Sequence, residues 1–163
     1  MVEDPATGDD PAAPATPSLF ARPLVPVAGA DDAAATASAL LPRVAAVGGR
    51  AVFVHVIEKA GGAPDKASVE QREELAAEMF EHLEAAAADA GVDAETELRY
   101  GTDVAETIVD AAHDADATCI AFTPRGGSKW WDLFSGDVRE SLVTESDLPV
   151  VVLPDVREEG PDT

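Results

Sequence analysis

Four short runs constrain this chain more than any other feature: "RPLVPV" (Arg22–Val27), "RAVFVHVIE" (Arg50–Glu58), "ATCIAF" (Ala117–Phe122) and "LPVVVLP" (Leu148–Pro154). Each is apolar along most of its length and reads as a strand; "RAVFVHVIE", apolar and β-branched, has the pattern of one buried on both faces. A fifth run, "AETELRY" (Ala94–Tyr100), alternates and reads as a more exposed strand.

Longer alanine-rich stretches separate these strands. "DDAAATASALLPRVAAVGG" reads as a helix stopped by Gly48 and Gly49 and kinked at Pro42. The loop "KAGGAPDKA" precedes a long helix that a capping box, Ser68 to Gln71, opens, with Leu75, Met79, Leu83 and Ala86 on one face and Gly91 at its end. Asp103 caps a third helix with Glu106 three residues on, and a fourth spans about Asp137 to Ser146. The order β-α-β-α-β-α-β-α-β implies right-handed crossovers and a parallel sheet covered by helices on both faces. Ligands in such doubly wound α/β folds bind beyond the carboxyl ends of the strands, at the switch point.

One domain accounts for the chain: an α/β unit over residues 19–154 between acidic tails, 1–18 and 155–163, too poor in apolar residues to repay the entropy of ordering. The tails do not explain the formal charge of −21. Residues 1–18 carry four acids and no base, and residues 155–163 four acids and one base, so the folded part retains −14. With only three lysines (Lys59, Lys66, Lys129) and helices full of alanine, such a surface suits a high-salt cytoplasm, where screening makes self-repulsion tolerable. An acidic face shaped for a basic partner is the other reading. Nucleic acid is an unfavourable partner, because phosphate backbones demand clustered Lys and Arg. The single Cys119 excludes an intramolecular disulfide framework. With no apolar run long enough to span a membrane and no signal-like N-terminus, a cytoplasmic protein without membrane attachment is expected.

The stretch "TPRGGSKWWDLFSGDVRES" (Thr123–Ser141) is a glycine-punctuated loop feeding a helix, a geometry that presents backbone N–H groups to an anion. It lacks Gly-x-Ser-x-Gly and Gly-Lys-Ser/Thr, so it is neither a nucleophile elbow nor a Walker loop. His55, His82 and His113 show no ligand spacing, and no nucleophile–base arrangement is visible. Catalysis is therefore not expected. Of the adjacent Trp130 and Trp131, one is expected to pack inward while the other lies over the crevice or faces a partner.

Over residues 21–154 the chain resembles the universal stress protein family. "PLVPVAGADD" is similar to the family's first strand and turn, "AVFVHVIE" to its second strand, "YGTDVAETIVDAA" to its glycine, spacer and third helix, "ATCIAFTPRGG" to its fourth strand and loop, and "DLPVVVLP" to its last strand. Haloarchaeal members show a similar Gly-Asp-Val after the loop. The resemblance implies a five-stranded parallel sheet of order 3-2-1-4-5 and a crevice bordered by Val27, Ala28, Gly29 and Val54. Nucleotide-binding members carry Gly-x2-Gly-x9-Gly-Ser/Thr. On that pattern Gly126 and Gly136 match, Thr123 stands for the first glycine, and Asp137 stands for the hydroxyl. The family's strand-end aspartate is replaced by Ala28. Asp137 would repel a phosphate and satisfy the helix N-terminus itself. Gly127, Ser128 and Lys129 could still serve a phosphate, with Mg²⁺ bridging to Asp137.

The resemblance thus implies a non-catalytic stress-response or regulatory protein binding nucleotide weakly or not at all. The alternative is an ATP-binding switch, with Mg²⁺ and slow hydrolysis. A homodimer through the terminal strand Leu148–Pro154 is expected, because an apolar edge strand bracketed by Pro149 and Pro154 invites short, self-terminating pairing. A further protein partner is left unidentified.

Overall fold

In a computed structural model of the chain, the structure describes residues 17–59, 66–123 and 136–154. Among the described residues nine elements alternate: β1 (Pro23–Pro26), α1 (Ala30–Ala46), β2 (Arg50–Glu58), α2 (Lys66–Ala90), β3 (Asp93–Gly101), α3 (Val104–Asp114), β4 (Cys119–Phe122), α4 (Gly136–Glu145) and β5 (Val150–Val152). The strands form one sheet of order β3-β2-β1-β4-β5, every pair parallel. This is the doubly wound α/β fold expected from the sequence, with the switch point between β1 and β4.

Period-two alternation within each buried strand splits the core between the two faces of the sheet. Val25, Phe53, Cys119 and Ala121 point to the face covered by α1 and α2, where they meet Leu40, Val44, Met79 and Leu83. Leu24, Val52, Val54, Ile120 and Phe122 point to the face covered by α3 and α4, where they meet Ile108, Ala112 and Leu142. The alternating run became β3, which lies at one edge and carries no fully buried residue.

Three helices end in the same way. Gly48 (φ +65°) and Gly91 (φ +74°) follow α1 and α2 in the left-handed region, and Asp116 (φ +55°) takes that role after α3. In each case the next residue's N–H returns to the last turn: Gly49 to Val44 at 3.0 Å, Val92 to Ala87 at 2.8 Å and Ala117 to Ala112 at 2.9 Å. Carbonyls that a helix end leaves open are thereby satisfied. Gly49 has a second reason to be glycine, since a Cβ there would come within 2.5 Å of the Phe20 carbonyl oxygen.

Two readings of α2 are corrected. The helix begins at Lys66, so Ser68 lies inside its first turn and is not its cap. Leu75 is 59% exposed; the buried line is Ala76, Met79, Leu83 and Ala87. Residues four apart advance 40° beyond a full turn, so Leu75 drifts off a stripe centred on Met79 and Leu83, while Ala76 stays in line. Asp103 does cap α3, its carboxylate accepting the Glu106 N–H at 3.0 Å. Helix α1 runs through Pro42 as one 17-residue element.

Candidate functional site

The carboxyl ends of β1, β2 and β4 meet at the switch point, and four side chains build its polar part. The chain leaves β1 through Val27, Ala28 and Gly29, and Gly29 caps α1 in extended conformation. Asp32, in the first turn of α1, reaches back over this turn. One carboxylate oxygen accepts the Ala28 N–H at 3.0 Å and the other the Gly29 N–H at 2.6 Å. A helix N-terminus leaves such amides unpaired, and its dipole favours the negative charge. Asp32 is 1% exposed all the same. Burial pushes its carboxyl up to about 7, against the pull of the amides of Ala28, Gly29 and Asp32 itself.

One turn further along α1, Thr36 meets Thr123 at the exit of β4. Their hydroxyls lie 2.8 Å apart, one donating to the other, and neither residue is more than 1% exposed. Thr123 is where the nucleotide-binding pattern has its first glycine, so this position carries a buried side chain tied to α1.

On β2, the His55 ring lies 2.8 Å from the Val27 carbonyl through Nδ1. A carbonyl can only accept, so Nδ1 carries the proton, and burial lowers the pKa of the ring and keeps it neutral. The crevice residues Val27 and Val54 are both buried, and the Val27 N–H donates to the Val54 carbonyl at 2.9 Å. That carbonyl serves the sheet. Ala28 and Gly29 are half-buried beside them.

The structure thus brings Val27, Ala28, Gly29, Val54 and Thr123 to one end of the sheet. Gly136 and Asp137 form the first turn of α4, which places Asp137 inside that helix. Gly126, Gly127, Ser128, Lys129, Trp130 and Trp131 lie outside the described residues. No group of His, Cys, Asp and Glu fit to hold a metal ion occurs among the described residues. Cys119 is buried and its thiol is pushed up to about 11, so it stays protonated and unreactive. An apolar groove of about 690 Å³ opens elsewhere, between α1 and α2, lined by Ala33, Ala37, Leu41, Met79, Leu83 and Ala86. It runs along the helix flanks from Ala30, at the start of α1, to Pro42.

The family model of the universal stress protein family matches residues 20–154, most of the chain and all nine elements. The chain belongs to the universal stress protein family. Solved universal stress proteins share its fold. One from Burkholderia pseudomallei is 24% identical with a TM-score of 0.69, the match covering 85% of this chain and 98% of that one. One from Archaeoglobus fulgidus, in complex with dAMP, is 20% identical with a TM-score of 0.58, over 83% and 99%. One from Arabidopsis thaliana, with AMP bound, is 15% identical with a TM-score of 0.59, over 86% and 96%. No curated protein matches the sequence significantly. No helix among the described residues is long and apolar enough to cross a membrane.

Asp32 and Thr36 are the site residues that the sequence motifs do not reveal. The usable signal is their spacing: Asp32 is four residues after Ala28 and Thr36 four after Asp32, so one face of α1 carries both back toward the strand ends.

Proposed function

We propose that this universal stress protein is a non-catalytic regulatory or stress-response module that binds nucleotide weakly or not at all. The supporting observation is the buried Thr36–Thr123 contact: the position where a binder has a glycine, letting backbone approach phosphate, holds a side chain whose hydroxyl is already taken. Ala28 in place of the strand-end aspartate and Asp137 in place of the hydroxyl point the same way. No described arrangement supplies a nucleophile and base. The test is restoration. Changing Ala28→Asp together with Asp137→Ser should raise affinity for magnesium ATP well above the parent's, and an unchanged affinity would remove those two positions from the account.

The dAMP and AMP held by the solved relatives favour a second reading, an ATP-binding switch in which Gly126, Ser128, Lys129 and Gly136 take the phosphates and Mg²⁺ accompanies them. In either reading the chain works in a salt-rich cytoplasm and pairs through Leu148–Pro154. Val152, 56% exposed on the edge strand β5, supports that contact. Light scattering across a dilution series should give twice the chain mass, and a single-chain mass at high micromolar concentration would refute the dimer.

A further inference from the structure

Helices α1 and α2 each pack on the sheet through a buried line of their own, Leu40 and Val44 on one and Met79 and Leu83 on the other, so the sheet sets the distance between them. The side chains that face each other across that distance are mostly too small to close it. Ala33 and Ala37 of α1 and Ala86 of α2 line the groove of about 690 Å³ that remains, and Ala30, Ala34, Ser38 and Pro42, four residues apart on α1, form its exposed rim. Its floor is apolar: Leu41, Met79 and Leu83 are each at most 5% exposed. A space of this size, with apolar walls and a few polar groups at its edge, is the usual form of a small-molecule site.

The charge along the groove is one-sided. Both helices return from the carboxyl to the amino end of a parallel sheet, so they run in the same direction, and their C-termini bring the negative ends of two dipoles together beyond Pro42 and Ala90. Asp89 adds a carboxylate at that end of the groove, in a last turn of α2 that holds no basic residue. An acid in that place opposes the helix dipole and costs stability unless a cation answers it. Among the described residues the Asp89 side chain has no hydrogen bond or ion pair. Arg43, the basic residue in the last turn of α1, donates to the Ala39 carbonyl at 2.6 Å, and no lysine or arginine is among the described residues that line the groove.

We propose that this groove is a second ligand site, built without the crevice residues Val27, Ala28, Gly29 and Val54, and that it takes an organic cation with an apolar body. The body lies on Leu41, Met79 and Leu83, where it removes apolar surface from water, and the ammonium group faces Asp89 and the two helix ends. The −14 of the folded part concentrates such cations around the chain and holds anions off. The apolar floor supplies the affinity and the Asp89 end supplies the choice of charge.

Three probes that share one apolar ring and differ in charge test this: cyclohexylmethylammonium, cyclohexylmethanol and cyclohexanecarboxylate. Each is titrated at pH 8 in molar KCl into the full chain labelled with ¹³C at its methyl groups, and the Met79, Ala34 and Ala37 methyl resonances are followed. The expected result is saturable, low-millimolar binding of the ammonium, as a ligand of this size allows, about threefold tighter than the alcohol and tighter still than the carboxylate. Asp89→Asn, an exposed change, should bring the ammonium level with the alcohol and leave the alcohol unchanged. Ala34→Leu, also on the exposed rim, should block all three probes, and Ser38→Leu repeats that test if the first variant does not fold. Absence of a saturable shift of the Met79 methyl with any probe overturns the site, and equal binding of all three, or an ammonium preference that survives Asp89→Asn, overturns the choice of charge. A chain mass that falls in light scattering on Ala34→Leu would assign the groove to a second copy of the chain and refute the small-molecule reading.

Discussion

The Thr36 and Thr123 hydroxyls, 2.8 Å apart and both buried, join the second turn of α1 to the exit of β4 across 87 residues of chain. The contact gives stability and function one test. Changing Thr123→Val alone leaves the Thr36 hydroxyl buried without this partner and should cost about 1–3 kcal/mol. Replacing both threonines by valine keeps the shape and removes both polar groups, so the double variant should recover much of that loss. Urea unfolding of the two single variants and the double variant reads the coupling. Additive losses would show that the hydroxyls do not depend on each other.

Asp32 makes stability depend on pH in an unusual direction. Its folded-state carboxyl stands near 7, above the ordinary 3.8, so the folded chain holds a proton that the unfolded chain releases. The resulting stabilisation is complete below about pH 4 and is lost as pH rises to about 7, on the order of 4 kcal/mol for a shift of this size. Asp32→Asn cannot titrate. Relative to the parent, this variant should therefore be least favoured at pH 4.5 and gain by a few kcal/mol by pH 7.5, measured by denaturant unfolding at both values. A parent–variant difference that is constant with pH would show that Asp32 is ionised throughout.

The formal −14 on residues 19–154 sets up a third expectation. Among the described residues some acids on and beside β3 find partners: Arg50 pairs with Glu95, and Arg99 reaches Glu97 at 2.5 Å and Asp114, at the end of α3, at 3.0 Å. Such exposed or half-exposed pairs contribute little individually, and the charge excess remains. Melting temperature should climb steeply as KCl is raised toward molar concentrations, where screening shortens the Debye length to a few ångströms. A melting temperature indifferent to KCl would contradict the high-salt reading.

Much of the fold is legible in the sequence for a definite physical reason. Strands buried on both faces must be apolar throughout, so β1, β2 and β4 stand out; β5 is as apolar but lies at one edge with Val152 exposed, and the alternating run became the other edge strand, β3. Helix detail is less legible. Ser68 carries a capping pattern that the chain does not use, because α2 starts two residues earlier. Leu75 is as apolar as Leu83, and only the 3.6-residue turn puts one outside and the other inside. At the crevice, the replacements at Ala28 and Asp137 can be read along the chain, whereas the groups that fill it cannot. Asp32 looks like an ordinary first-turn acid, and nothing local says that its carboxylate is buried on the Ala28 and Gly29 amides. Thr36 finds its partner only when β4 is laid beside β1.

The central claim is that this universal stress protein keeps the crevice of its fold with the described polar groups at the ends of β1 and β4 already occupied. Equilibrium dialysis of labelled ATP with Mg²⁺ against the unmodified chain, in multimolar KCl at pH 7.5, tests it most directly. The expected result is a dissociation constant of about 1 mM or weaker, equivalent to no more than about 4 kcal/mol of binding free energy. A dissociation constant in the micromolar range would contradict the account.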